Sequence, residues 1–237
     1  CYGGFIGDYM VVAGGCNFPE PGKKKYYSGI YAAKVGGNAD ETPDWQLIGH
    51  LPEPAAYGGT VTSGDSLILV GGCNNEQKLR SVLSLHLDRE SGKPVLKSLP
   101  SLPRSVDNMG VCLSDTRLFV VGGNQDGRPS AAVLSLEIGK DAAWKNVTSK
   151  KDAAKKKDAA WKHETELIGE PRVQPVCAAY RGELYVWGGF YENGKSSLVA
   201  TSGLCYHPES KSWTSLPAPR NPQGDELTLT GATAMLA

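Results

Sequence analysis

A pair of glycines recurs along this chain, and each pair ends a short apolar run. The four copies are Met10-Val11-Val12-Ala13-Gly14-Gly15, Leu67-Ile68-Leu69-Val70-Gly71-Gly72, Leu118-Phe119-Val120-Val121-Gly122-Gly123 and Leu184-Tyr185-Val186-Trp187-Gly188-Gly189. Their second glycines are 57, 51 and 66 residues apart. A strand-like unit repeated about every fifty residues predicts an all-β fold, the β-propeller, in which each repeat forms one blade.

The composition limits the kinds of partner that we expect the protein to bind. Lysine plus arginine equals aspartate plus glutamate at 25 each, which argues against nucleic-acid binding because such binding needs a basic face. No apolar run reaches the roughly 18 residues of a membrane span, so we expect no membrane partner. No signal peptide is visible at the N-terminus. With 40% of 237 residues apolar, residues 1–237 can share one core, and we interpret them as a single domain.

The six cysteines lie at recurring places in the repeats, and Cys16 and Cys73 each follow a glycine pair. Equivalent positions in different blades are usually too far apart for a disulfide, whose Cα atoms lie about 4.4–6.8 Å from each other. We therefore predict free, mostly buried thiols. No Cys/His spacing resembles a zinc site, so we also predict no metal ligands.

The last repeat shows the expected strand order most clearly. Residues 173–180 form an apolar stretch before Arg181-Gly182, and residues 183–187 form a second stretch that the glycine pair ends. We predict a loop with an Asn-Gly turn at Asn193-Gly194, a third strand over 197–206 and a polar outer strand over 211–215. Each repeat is thus predicted to contain four strands.

These features resemble the kelch repeat. The matching elements are the apolar run before Gly-Gly, the turn that begins at Tyr206-His207-Pro208, and Trp213 seven residues after Tyr206. In this interpretation the glycines allow a turn without Cβ clashes, and the aromatic pair packs between neighbouring sheets. We expect a kelch-type β-propeller, with four complete repeats and a fifth first strand over 229–237. Kelch propellers usually have six or seven blades, so we expect this one to be incomplete, with a further chain or segment supplying the remaining blades.

One segment breaks the repeat. Residues 140–162 are rich in alanine and lysine and contain Lys-Asp-Ala-Ala-Trp-Lys twice. We interpret this segment as an insertion in an outer-strand loop. Its charges suit a solvated surface, although a basic patch for a partner is an open alternative.

The segments that follow each Leu-Pro pair carry the candidate site residues. Arg104, Arg172 and Arg220 are predicted at corresponding places, directed toward one mouth of the channel. A planar guanidinium fork suits a carboxylate, so convergent arginines in a neutral protein suggest an anionic small ligand. The alternative is that each arginine pairs with a nearby acid at the rim. The neighbouring candidates are Asp107, Asn108, Gln174 and Asp225.

Loops after the glycine pairs carry asparagines, of which Asn17 is the first. An asparagine there can bind sugar hydroxyls. It can equally serve the turn itself, because asparagine tolerates a left-handed backbone.

A narrower resemblance involves longer stretches. Residues 13–19, 23–28, 56–59, 169–174 and 182–189 are similar to the sialic-acid mutarotase (N-acetylneuraminate epimerase) branch of kelch proteins, with a cyclically permuted blade order. The resemblance implies a six-bladed propeller that interconverts the anomers of N-acetylneuraminic acid without metal or cofactor, in the periplasm or outside the cell. It also implies an acidic monosaccharide as the partner.

The resemblance also suggests roles for the candidate residues. Arg172, with Arg104 and Arg220 next, would bind the sugar carboxylate, helped by Gln174, Asn108 and Asn17. Asp107 and Asp225 are the acid–base candidates, because opening and reclosing a pyranose ring needs a base and an acid. The family carries a Glu and an Arg six residues apart just after one blade's apolar strand, and in this permuted order we expect that blade to follow residue 237. The nearest local pair, Glu76 and Arg80, is four residues apart and lies on a different blade. The rival hypothesis is a kelch module that binds a glycan or a protein without turnover, because one fold hosts both functions.

Overall fold

Each of the four repeats forms a four-stranded antiparallel sheet. The computed structural model describes residues 1–35, 42–139, 160–194 and 196–231. The chain divides into two compact units, residues 1–105 and residues 106–139 with 160–231, which are described separately. No helix in these described ranges is long and apolar enough to cross a membrane.

The first unit contains two blades. Its strands are β1 (Tyr2–Ile6), β2 (Tyr9–Ala13), β3 (Cys16–Glu20), β4 (Lys23–Tyr26), β5 (Gly29–Lys34), β6 (Gln46–His50), β7 (Gly59–Ser63), β8 (Ser66–Val70), β9 (Val82–Leu87) and β10 (Pro94–Ser98). Blade 1 has the order β1-β2-β5-β6, and blade 2 has the order β7-β8-β9-β10. The β3–β4 hairpin extends from the glycine pair of blade 1.

The second unit contains the other two blades. Its strands are β11 (Val106–Asp107), β12 (Gly110–Ser114), β13 (Arg117–Val121), β14 (Asn124–Gln125), β15 (Arg128–Pro129), β16 (Ala132–Glu137), β17 (Lys162–Glu166), β18 (Val176–Tyr180), β19 (Glu183–Trp187), β20 (Phe190–Asn193), β21 (Ser196–Val199), β22 (Gly203–His207) and β23 (Ser212–Leu216). Blade 3 has the order β12-β13-β16-β17, and blade 4 has the order β18-β19-β22-β23. Smaller sheets join β11, β14 and β15, and β20 with β21.

The predicted strand order of the last repeat is confirmed in blade 4. Its second strand has the predicted bounds, and the Arg181-Gly182 turn that precedes it has φ of 50° and 85°. Two left-handed residues match the twist of a two-residue hairpin. The predicted loop after the glycine pair is a short hairpin, β20–β21, in which Asn193 pairs with Ser196 and the turn begins at Gly194 rather than at Asn193. The third strand is shorter than predicted and covers 203–207.

In blades 1, 3 and 4 the glycine pair is hydrogen-bonded to the segment that follows the blade. The backbone amide of Gly123 donates to the carbonyl of Arg172 at 2.8 Å, and Gly15 and Gly189 bond Ala55 and Leu229 in the same way, at 2.7 and 2.8 Å. Gly123 has a φ of 77°, and a Cβ there would lie 2.6 Å from the carbonyl oxygen of Asp107. Glycine is therefore required both for the backbone angle and for the close approach.

The core of each unit lies between its two sheets. In the second unit, Phe119 of blade 3 and Leu184 and Tyr206 of blade 4 share one buried cluster. Tyr206 is fully buried, and its ring lies 5.0 Å from the ring of Trp213. The indole of Trp213 also donates to the hydroxyl of Thr165 on β17. The prediction that this aromatic pair packs between neighbouring sheets is confirmed.

Other sequence predictions meet the structure only in part. Most of the predicted insertion, residues 140–159, lies outside the described residues, and β17 begins at Lys162. The same holds for most of the predicted fifth strand, of which only 229–231 is described. The six cysteines are free thiols, and Cys112, Cys177 and Cys205 are buried. The single-domain interpretation stays a prediction.

Candidate functional site

The chain turns sharply before the first strand of a blade, at a residue with a left-handed backbone. We call these residues corners. They are Tyr57, Asn108, Gln174 and Gly231, with φ of 60°, 54°, 57° and 65°. A left-handed tyrosine or glutamine is uncommon, and such outliers concentrate at functional sites. The corners are therefore the first place to look for a site.

The corners correct the predicted alignment of the arginines. The residue two places before each corner is Ala55, Val106, Arg172 or Leu229. Three of these carbonyls accept the bond from a glycine pair, which fixes the equivalence. Arg104 lies four residues before its corner, and Arg220 lies eleven before Gly231. The prediction that the three arginines occupy corresponding places is wrong, because the segment between Leu-Pro and the corner varies in length.

Arg172 does not lie at an exposed rim, as the sequence suggested, but is only 3% exposed. Its Nη1 donates to the carbonyls of Ser202 and Gly188, at 3.0 and 3.4 Å, and its Nη2 donates to the Ser202 hydroxyl at 3.1 Å. Burial lowers the pKa of its guanidinium. The side chain therefore joins Ser202, the residue just before the third strand of blade 4, to the glycine pair. Its role as a carboxylate ligand stays a prediction.

The other two arginines differ from Arg172 in their surroundings. Arg220 forms an ion pair with Glu226 at 2.7 Å and donates to the Gly224 carbonyl. This is the local pairing that was the alternative hypothesis. Asp225 accepts from the Asn221 amide at 3.0 Å in the same exposed hairpin. In the first unit, Arg104 is exposed on the segment after Leu102.

Three predicted residues meet in one cluster in the second unit. Asp107 is 3% exposed, and its Oδ1 accepts from Nδ2 of Asn108 at 2.7 Å and from Nδ2 of Asn124 at 3.0 Å. Oδ1 of Asn108 accepts from Nε2 of Gln174 at 2.8 Å. We call Asp107, Asn108, Asn124 and Gln174 the corner network. It joins a buried carboxylate to three half-buried amides.

The backbone links the same corners directly. The amide of Gln174 donates to the carbonyl of Asn108 at 2.7 Å, and the amide of Gly231 donates to the carbonyl of Gln174 at 3.2 Å. Consecutive repeats therefore place their corners side by side in the second unit. Asn124 belongs to the asparagines that follow the glycine pairs in the sequence, but only the pairing of β11 with β14 brings it to Asp107.

The first unit has a different cluster beside its corner. Nζ of Lys24 donates to the hydroxyl of Tyr57 at 2.6 Å and lies 4.2, 5.1 and 5.8 Å from the ring centroids of Tyr57, Tyr26 and Phe18. We call these four residues the lysine–aromatic cluster. The hydrogen bond to Tyr57 raises the pKa of Lys24, so the ammonium stays charged at neutral pH. A fixed ammonium of this kind can bind an anion.

Asn17 lies on the same β3–β4 hairpin. Its Oδ1 accepts from the hydroxyl of Tyr27 at 2.8 Å, and the residue is exposed. This bond joins β3 to the residue that directly follows β4. Whether Asn17 also contacts a sugar stays a prediction.

The sequence predicted no metal ligands, but in the described ranges one group brings together three side chains that could hold a metal ion. The ligand atoms of Glu183, Cys205 and His207 all lie within 4.8 Å of one another on one face of blade 4. Cys205 and His207 are two residues apart on one strand, and this spacing was the only sign of the group in the sequence. The third ligand comes from β19, and only the strand pairing brings it close.

Comparisons with known proteins agree with this fold. A model of the kelch motif matches residues 171–220, which include all of blade 4. N-acetylneuraminate epimerase of Salmonella arizonae is 35% identical over 92 residues, covering 35% of this chain and 24% of that protein. The enzyme of the same name from Pasteurella multocida is 30% identical over 86 residues, covering 30% of this chain and 21% of that protein. Over these parts the chain is similar to the kelch motif and to the N-acetylneuraminate epimerases. The alignments span about a quarter of those relatives' length.

The solved structure of YjhT is similar to most of this chain. The TM-score is 0.67, with 13% identity, and the match covers 90% of this chain and 68% of that one. At this identity the likeness shows the fold alone. The predicted fold class, an all-β kelch-type β-propeller, is therefore confirmed.

Proposed function

We propose that this kelch-repeat protein interconverts the anomers of a free acidic sugar such as N-acetylneuraminate. The observation that carries the proposal is the corner network, where a buried carboxylate holds amide side chains at two adjacent left-handed corners. The names of the related epimerases support an acidic sugar as the substrate.

Opening a pyranose ring moves two protons. A base removes the proton of the anomeric hydroxyl, and an acid protonates the ring oxygen. Asp107 is the carboxylate of the corner network, and we assign it as the acid–base candidate within that network. Its bonds to the amides of Asn108 and Asn124 fix the orientation of the carboxylate.

The amides have bonding capacity left for a sugar. Oδ1 of Asn124 and Oε1 of Gln174 accept no hydrogen bond from the described residues. Each amide nitrogen donates one hydrogen bond in this network and carries a second N–H. Hydroxyls and an N-acetyl group both donate and accept, so the network suits a polyhydroxylated amide sugar.

An acidic sugar also needs a cation. In the second unit, the candidate that the sequence predicts for this role is Arg172, whose Nη atoms already bond Ser202 and Gly188. Lys24 is a separate anion-binding candidate in the first unit, where Tyr57 holds it among aromatic rings.

Exchange spectroscopy by NMR tests the proposal. The full-length protein should speed exchange between the N-acetylneuraminate anomers above the rate in buffer, and Asp107→Asn should abolish the increase. Binding without faster exchange would favour the rival hypothesis, a non-catalytic kelch module. If the protein neither binds the sugar nor speeds its exchange, the proposal is overturned.

A further inference from the structure

The face of blade 4 that bears Tyr185 also bears three side chains with different metal-binding groups. Cys205 and His207 are two residues apart on β22 and so point to the same side of the sheet. The pairing of Tyr185 with Cys205 brings Glu183 of the adjacent strand next to them. Oε1 of Glu183 lies 2.7 Å from Nδ1 of His207, and Oε2 lies 3.6 Å from Sγ of Cys205. We propose that Glu183, Cys205 and His207 bind a zinc ion.

The separations suit a tetrahedral ion after small side-chain movements. Zinc binds sulfur at about 2.3 Å, and nitrogen and oxygen at about 2.0–2.2 Å, so tetrahedral ligand atoms lie about 3.3–3.6 Å apart. Oε2 of Glu183 lies 3.6 Å from Sγ of Cys205, which already fits, whereas the 2.7 Å contact with Nδ1 of His207 is made by Oε1. Binding therefore requires the carboxylate to turn and the Glu–His pair to open. Thiolate, imidazole and carboxylate together favour zinc over the hard cations calcium and magnesium.

Neighbouring hydroxyls support the ligands from outside. Nε2 of His207 lies 2.8 Å from the hydroxyl of Thr214 on β23, and the hydroxyl of Tyr185 donates to Oε2 of Glu183 at 2.8 Å. A threonine hydroxyl can accept as well as donate. It can therefore stabilise the imidazole tautomer that leaves Nδ1 free for the metal.

The exposure of the three groups suits an open site. Cys205 is 4% exposed, whereas the side chains of Glu183 and His207 are 37% and 31% exposed. A metal can thus enter from solvent and bind a thiolate protected on its other side. Three protein ligands leave the fourth position for water, which is the arrangement of accessible zinc sites. The proposed zinc site does not depend on the proposed sugar chemistry.

Cobalt is the probe for the test, because a cobalt–thiolate bond absorbs in the near ultraviolet and tetrahedral cobalt absorbs in the visible. Full-length protein freed of metal by a chelator is titrated with Co²⁺, and then with Zn²⁺. We expect one equivalent of cobalt with both absorptions, displaced by one equivalent of zinc. Cys205→Ser should remove the near-ultraviolet band, and His207→Gln should weaken binding at least tenfold.

The matched control is Cys16→Ser, which changes a thiol of the first unit and should leave the cobalt spectrum unchanged. Because Cys205 is buried, thermal unfolding is compared for all variants to check that they fold. If Cys205→Ser does not fold, cobalt binding by His207→Gln, a change at a half-exposed residue, decides the test. No bound cobalt at tens of micromolar would overturn the proposal. Unchanged binding in His207→Gln, or loss of the band in Cys16→Ser, would overturn it too.

Discussion

Asn108 and Gln174 are joined twice, by a backbone bond of 2.7 Å and a side-chain bond of 2.8 Å, although they lie 66 residues apart in the chain. Both have a left-handed backbone. Each corner therefore helps to hold the other in a conformation that is unfavourable for its residue type.

The first prediction concerns the amide of Gln174. Gln174→Ala should weaken binding of N-acetylneuraminate about two- to tenfold, because one hydrogen bond contributes about 0.5–1.5 kcal/mol. Calorimetric titration of the full-length protein measures the change. Gln46→Ala, which removes an exposed amide in the first unit, is the control. Equal affinity in both variants would exclude Gln174 from the sugar site.

Arg172→Ala should destabilise the fold by about 2–4 kcal/mol, since hydrogen bonds to a buried charge are strong and their carbonyl partners would be left unpaired. Arg220→Ala serves as the control. Arg220 is exposed, and its ion pair should contribute less than about 1 kcal/mol. Urea unfolding of both variants gives the comparison. A loss for Arg172→Ala no larger than that for Arg220→Ala would mean that the buried bonds do not stabilise blade 4.

Gly123→Ala and Gly139→Ala separate the effect of backbone angle from that of space. The two glycines have φ of 77° and 74°, but a Cβ would meet the Asp107 carbonyl at 2.6 Å in the first case and nothing within 4 Å in the second. Gly139→Ala should lower the free energy of unfolding by about 1–2 kcal/mol, the strain of a left-handed alanine. Gly123→Ala should lower it by clearly more, and thermal unfolding of both variants measures the difference. Similar losses would show that close approach is not the reason for glycine at 123.

His86 gives a prediction about pH. Burial, and then the nearby charge of Lys97, lower the pKa of His86 below its ordinary value of 6.5. As pH falls through the ordinary value, the unfolded chain takes up the proton first, so the free energy of unfolding decreases. The decrease continues until pH reaches the folded-state pKa. His86→Gln should show a smaller decrease between pH 7 and pH 5 in urea unfolding, whereas an identical pH profile would contradict this prediction.

The repeat spacing was sufficient to predict the strands but not the site. Apolar runs that end in glycine pairs predict β2, β8, β13 and β19, because strand formation there depends on local sequence. The predicted alignment of the arginines is wrong, because Arg172 precedes its corner by two residues and Arg104 precedes its corner by four. The contact between Asp107 and Asn124, and the grouping of Glu183 with Cys205, arise from strand pairing. Neither has a fixed spacing in the sequence.

The hydrogen bond from Gly189 to Leu229 has a consequence for how such a protein can grow by gene duplication. The last strand of blade 4 ends at Leu216, yet the acceptor for Gly189 comes thirteen residues later. Copying only the stretch that encodes one sheet would leave this amide without its acceptor. The unit that must be copied therefore does not coincide with the four-stranded sheet. An engineered insertion or deletion of a blade should have its boundary after the corner rather than after the outer strand.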